Sequence, residues 1–137
     1  MATRVKATQT PEREETFQET ADRYAQNSIA NMRDELADEG TRERICSEGA
    51  LMVEVRPDWY APGTAQEEED RKPAEYSILL GTGGPASRII GKLDRWCQPE
   101  TAIFEYQDWF KPWTAARTTV EEDAILLEYA RQFYFGE

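Results

Sequence analysis

The stretch from Tyr76 to Trp113 restricts the fold more than any other. An apolar run, Tyr76-Ser77-Ile78-Leu79-Leu80, leads into the glycine turn Gly81-Thr82-Gly83-Gly84-Pro85, and two more β-rich runs precede Trp109-Phe110-Lys111-Pro112-Trp113. Short runs of β-branched, aromatic and leucine residues bounded by Gly, Pro and Asp are strand signals, and their close spacing leaves room only for turns. The reading is an antiparallel meander, which the rest of the chain must cover.

Upstream, Leu51, Val53 and Val55 alternate with Met52, Glu54 and Arg56, which predicts a half-buried strand stopped by Pro57 and Asp58. Residues 86 to 94 read as a strand, although the spacing of Ile89, Leu93 and Trp96 is also compatible with a helix. Arg95 to Glu100 reads as a turn and Thr101 to Gln107 as the next strand. The aromatic corner from Asp108 to Trp113 either plugs the end of the sheet or, if exposed, forms a patch for a protein partner.

Two helices flank the sheet. Thr10 suits a cap and Pro11 a first turn, with Glu12, Glu14 and Glu15 where the helix dipole favours anions. Phe17, Ala21, Tyr24, Ala25, Ile29, Met32 and Leu36 then form one apolar stripe on a helix over 11–39, closed by Gly40. Such a helix is about 40 Å long, more than a domain of this size is wide. It therefore overhangs, breaks near Asn27 or pairs with another chain, which leaves a homodimer through this helix open. At the other end, Thr119 with Glu122 makes a capping box. Val120, Ala124, Ile125, Leu126, Tyr129, Ala130 and Phe133 follow on a helix expected to run to about Phe135, to be the main cover of the sheet, and to dock the terminal residues.

The fold expected is α+β, an antiparallel sheet of about four strands packed against a long N-terminal helix and a C-terminal helix. Residues 1–10 read as a disordered tail and 11–137 as a single domain with a long acidic loop over 61–75.

Several chemistries find no support in the residues. With no His there is no imidazole base or ligand, and Cys46 and Cys97 stand alone, as reduced thiols of a cytoplasmic protein do. Gly81-Thr82-Gly83-Gly84-Pro85-Ala86 matches a dinucleotide fingerprint in letters, but Pro85 lacks an amide and Gly91 lies where the helix would have to be. Glu67-Glu68-Glu69-Asp70 is too contiguous to wrap a cation. Asp94 with Glu105-Tyr106-Gln107 imitates a metal-dependent nuclease loosely, with glutamine where lysine belongs. The reading is no enzyme, no cofactor, no metal and no membrane span.

Charge supplies the positive argument. The formal net charge is -11, made of +2 over residues 1–11, -6 over 12–48, -4 over 49–75, +1 over 76–117 and -4 over 118–137. The sheet is near neutral and the acidity sits on the helices and one loop. Such a chain repels nucleic acid and attracts basic protein surfaces. Carboxylates along a rigid helix can imitate a row of phosphates, which singles out Glu12, Glu15, Glu19 and Asp22, then Asp34, Glu35, Asp38 and Glu39. Trp109 and Trp113 are the candidates on the aromatic corner.

The carboxyl-terminal half resembles a family of small, uncharacterised proteins encoded on bacterial conjugative elements and phages. The likeness is carried by Tyr76, Leu79-Leu80, Thr82-Gly83-Gly84-Pro85-Ala86, Gly91 and Leu93-Asp94. It continues through Gln107-Asp108-Trp109, Pro112-Trp113-Thr114 and Ala130 to Glu137. The resemblance implies a genomic setting in which small acidic proteins inhibit host defence, including anti-CRISPR and antirestriction proteins. The partner expected is thus a protein with a basic nucleic-acid-binding surface, such as a CRISPR surveillance complex. The alternative is a charge-independent structural or adaptor module acting through its aromatic patch.

Overall fold

Among the described residues, five antiparallel strands succeed one another in chain order and also in space, so each strand pairs with its neighbour in sequence. They are β1 (Met52–Pro57), β2 (Pro73–Gly81), β3 (Ala86–Lys92), β4 (Ile103–Gln107) and β5 (Thr114–Ala115). Three helices accompany them among the described residues, α1 (Phe17–Ala37), α2 (Glu39–Glu48) and α3 (Val120–Ala130). This computed structural model describes residues 15–59, 62, 72–83, 85–109 and 111–136. The α+β architecture, with α1 and α3 on the sheet, is as the sequence predicts. The two-residue β5 is a fifth strand beyond the four expected.

The glycine turn joins two strands, not a strand and a helix. Gly83 takes φ 105°, a conformation open to glycine without strain, and β2 pairs with β3 from Glu75↔Lys92 to Gly81↔Ser87. The helix-compatible reading of 86–94 fails because Ile89 pairs on both sides, with Ile78 and Phe104, and is fully buried. No helix starts at this turn to receive a pyrophosphate.

Gly91 has a second reason to be glycine. A Cβ there would overlap the Thr101 carbonyl, lying 2.7 Å from its carbon, and come within 2.9 Å of Tyr76 Cε1. The Tyr76 hydroxyl donates to that same carbonyl oxygen at 2.6 Å, so the chain passes over Gly91 and is fastened there. The turn before it is built on Asp94, whose Oδ1 accepts from the Trp96 and Gln98 amides at 2.8 and 3.0 Å.

The long helix breaks, but not near Asn27 and not at Gly40. Asp38 leaves the helical path at the end of α1, and its Oδ2 accepts from the Thr41 amide at 2.9 Å, capping α2. A side chain that satisfies a main-chain donor competes with helix continuation, so Gly40 falls in the first turn of α2. The amino-terminal cap is Thr16, not Thr10. Its Oγ1 accepts from the Glu19 amide at 3.1 Å while Glu19 Oε1 accepts from the Thr16 amide at 2.9 Å. Thr10, Pro11 and Glu12 lie outside the described residues, as do the expected tail and the Glu67 to Asp70 run. The acidic loop expected to reach residue 75 gives way to β2 at Pro73.

Ala21, Ala25, Ile29, Met32 and Leu36 are buried, so the apolar stripe of α1 is taken up by the chain's own core. Two alanines in the stripe let the helix lie close, and beside them Phe17 and Tyr24 pack on Tyr106 with ring centroids 5.5 and 5.0 Å apart. The larger share of helix-to-sheet contact comes from α1; α3, expected as the main cover, packs chiefly on α1 and touches the sheet at β4.

α3 begins at the predicted Thr119 capping box but ends at Ala130, short of the expected Phe135. Phe133 and Phe135 are nonetheless buried, the latter 4.9 Å from the Tyr76 ring, and Arg131 Nε donates to the Pro99 carbonyl at 3.1 Å. The Phe133 amide bonds back to the Ala130 carbonyl at 3.2 Å, a tighter turn than the helix, and this sets both rings on the core.

One expectation about burial is overturned. Val53 and Val55 share a sheet face with Ile78 and Tyr76, yet all six residues of β1 are exposed. β1 is an edge strand beyond the reach of the helical layer.

Candidate functional site

Two surfaces face opposite ways: the outer side of the helices and the side of the sheet that carries no helix among the described residues. Asp22 on α1 meets Arg117 just before α3, and Glu35 near the end of α1 meets Tyr129 near the end of α3. The two helices therefore run parallel, side by side.

This layer is acidic. Residues 15–48 hold nine carboxylates against four arginines and residues 118–131 hold four against one, whereas the described residues of the sheet and its turns hold seven of each sign. The charge separation expected from the sequence is thus arranged as two layers.

The row of phosphate-like carboxylates along α1 is not continuous. Glu15 is held by Arg23 at 2.9 Å and by the Thr20 hydroxyl, and these bonds keep its carboxyl below the ordinary range. Glu19 closes the capping box. Asp22 has a side chain only 14% exposed and lies 2.6 Å from Arg117 Nη2. Burial pushes its carboxyl up, but bonds from the Arg117 amide, the Arg117 guanidinium and Gln18 outweigh this and hold it down. Asp38 caps α2, and the Thr41 hydroxyl and amide lower its carboxyl. Glu35 accepts the Tyr129 hydroxyl at 3.4 Å.

That leaves Asp34 and Glu39 exposed and without an ion pair among the described residues. Glu43 on α2, and Glu121 and Asp123 at the start of α3, are exposed too and extend the acidic surface. Sequence reasoning singled out none of these three. The Glu121-Glu122-Asp123 run was visible, but only packing shows that α3 presents it next to α1.

The two tryptophans expected to act together do different things. Trp109 is 65% exposed, while Trp113 is half-buried with the Arg88 guanidinium 4.1 Å from its ring centroid. Arg88 also holds Glu105 at 2.6 Å, so Trp113, Arg88 and Glu105 form one stack on the open side of β3 and β4. Trp59 and Trp96 are exposed as well, a feature that periodicity could not reveal because both sit in turns.

The helix-free side of the sheet forms an open hollow of about 490 Å³ lined by Glu54, Arg56, Glu75, Arg88, Ile90 and Lys92, among others. Glu75 is bound to Arg56 at 2.5 Å and Glu105 to Arg88, so both carboxylates are already engaged as acceptors. Asp94 serves its own turn, accepting from the Trp96 and Gln98 amides. No group of three metal-ligating side chains occurs among the described residues, and no described helix is long and apolar enough to cross a membrane. Cys46 is exposed and Cys97 buried, both as free thiols. Comparison with protein-family models, with curated proteins and with solved structures found no match.

Proposed function

We propose that this chain is an acidic binding protein that inhibits a nucleic-acid-binding defence complex, CRISPR–Cas or restriction, by covering its basic surface. The observation that carries the reading is the division of charge between a helical layer rich in unpaired carboxylates and a sheet layer with none in excess. Asp34, Glu39, Glu43, Glu121 and Asp123 form the contact, and Glu15, Glu19, Asp22 and Asp38 have internal duties. Such a contact is weakened by salt.

The test is capture of a type I CRISPR surveillance complex at low and high salt by the wild-type chain and by a variant with Asp34, Glu39, Glu121 and Asp123 changed to Lys. Capture that fades with salt and is lost in the folded variant supports the reading. Binding that ignores both changes ends it.

The exposure of Trp109 and the open sheet face favours a second reading, an adaptor module of a phage or plasmid that is indifferent to charge. In that case Trp109→Ala abolishes binding and the four-Lys variant does not.

A further inference from the structure

The outer edge of β1 is a strand-pairing surface that complements itself. Leu93 N–H donates to Ala74 O at 2.8 Å, and Leu51 N–H donates to Leu79 O at 2.8 Å. In an antiparallel ladder the residues of one strand turn their main-chain groups alternately to either side. On β2, Tyr76 and Ile78 therefore bond toward β3, and Glu75, Ser77 and Leu79 toward β1. The register then assigns Met52, Glu54 and Arg56 to the β2 side. Val53 and Val55 are left with N–H and C=O pointing away from the sheet, without a partner among the described residues.

Edge strands are normally blunted by charged side chains, lysine above all, by proline, by bulges or by shortness. β5, the opposite edge, is only two residues long. β1 has Pro57 at its end, and its register shifts only between Arg56 and Pro57. Before that point its register is regular, and its apolar side chains are open, Met52 50%, Val53 37% and Val55 43% exposed, as is Leu51 just ahead of it at 61%.

We infer that β1 pairs antiparallel with β1 of a second copy of this chain, centred on Val55, and so joins the two sheets into one of ten strands. The occupant is identified by charge. Glu54 and Arg56 flank Val55 on the open face, so pairing about Val55 sets each Glu54 opposite Arg56 of the other copy, twice over. Pairing about Glu54 instead would set Glu54 against Glu54, and like charges directly opposed disfavour a register. Val55 then faces Val55 of the other copy, and each Val53 faces the partner's Pro57, in the gap between the helical layers. A two-fold contact of this kind closes on itself, and the short β5 gives no second edge for growth. The inference does not depend on the function proposed above.

Sedimentation equilibrium of the full chain at micromolar to hundred-micromolar concentration (about 1–100 μM, the range in which modest interfaces show) tests it. The wild type is expected at twice the 15.8 kDa chain mass. Val55→Pro removes an outward N–H and no bond to β2, so it should leave a folded monomer by circular dichroism. Glu54→Arg and Arg56→Glu should each weaken self-association by roughly tenfold. Mixed together they should restore the dimer, because each then meets its complement. A wild-type monomer across the range overturns the inference. So does a dimer that Val55→Pro leaves intact, or a mixture that stays monomeric, since pairing would then lie elsewhere.

Discussion

Asp22 accepts two hydrogen bonds from one residue, Arg117, taking its amide and its Nε each at 2.7 Å. The pair ties the first turns of α1 to the segment that launches α3, across 95 positions of sequence. Arg117 is well exposed, so solvent screens the ionic part and the net contribution is about 1 kcal/mol.

The carboxyl of Asp22 lies below its ordinary value in the folded chain, so its contribution is complete above the unfolded value of 3.8 and is lost as pH falls through the folded one. Asp22→Asn should therefore be less stable than wild type at neutral pH, and the gap should close below about pH 4. Urea titrations at several pH values measure it. A gap independent of pH would show that the ionised carboxylate is not what holds Arg117.

Gly91→Ala should be among the most damaging single-atom changes in the chain. The added methyl meets main chain, and the Thr101 carbonyl cannot retreat while Tyr76 and the Lys92 amide hold its residue, the latter through Thr101 Oγ1 at 2.9 Å. Overpacking against fixed backbone costs about 3 kcal/mol, which lowers the melting temperature by roughly 10 °C. Thermal unfolding reads this directly. The same change at Gly40, whose Cβ would meet nothing closer than 3.7 Å, is the control.

The Arg88 and Trp113 contact should appear as coupling in a double-mutant cycle. A guanidinium over an indole that is also ion-paired, as Arg88 is to Glu105, is worth about 1 kcal/mol. Arg88→Ala, Trp113→Ala and the double variant measured by denaturant unfolding give the value. Coupling near zero would mean that the Arg88 contact does not hold Trp113 in place.

Alkaline titration should isolate Tyr129. Burial foremost, and then the nearby Glu35 carboxylate, push its phenol up to about 12. The folded chain keeps this group neutral, so it favours folding below pH 10 and loses that advantage as pH rises toward 12. Tyr129→Phe should remove a late phase from the absorbance titration and flatten the alkaline loss of stability.

Much of this fold is written in short-range patterns. The strand runs at 76–80 and 103–107, the turn at Gly83 and the capping box at Thr119 to Glu122 are local in cause, and they stand where the residues place them. The errors fall where a local rule competes with a distant contact. α1 starts at Thr16 and ends at Asp38 because two side chains bond their own main chain there. α3 stops at Ala130, and Phe133 and Phe135 are buried beyond its end. The candidate surface was legible as net charge but not as a list of residues. Asp22 looks like any other helix carboxylate until Arg117 arrives from the far end of the chain.

From sequence alone came the order of the elements, the meander, and the sign of the charge on the helices, since each depends on residues close together in the chain. Tertiary structure alone decided which carboxylates remain open to a partner, which tryptophan is stacked on an arginine, and that β1 lies at an edge with no strand beyond it among the described residues. Those outcomes depend on which neighbour occupies the space beside a side chain, and that neighbour is often about a hundred positions away.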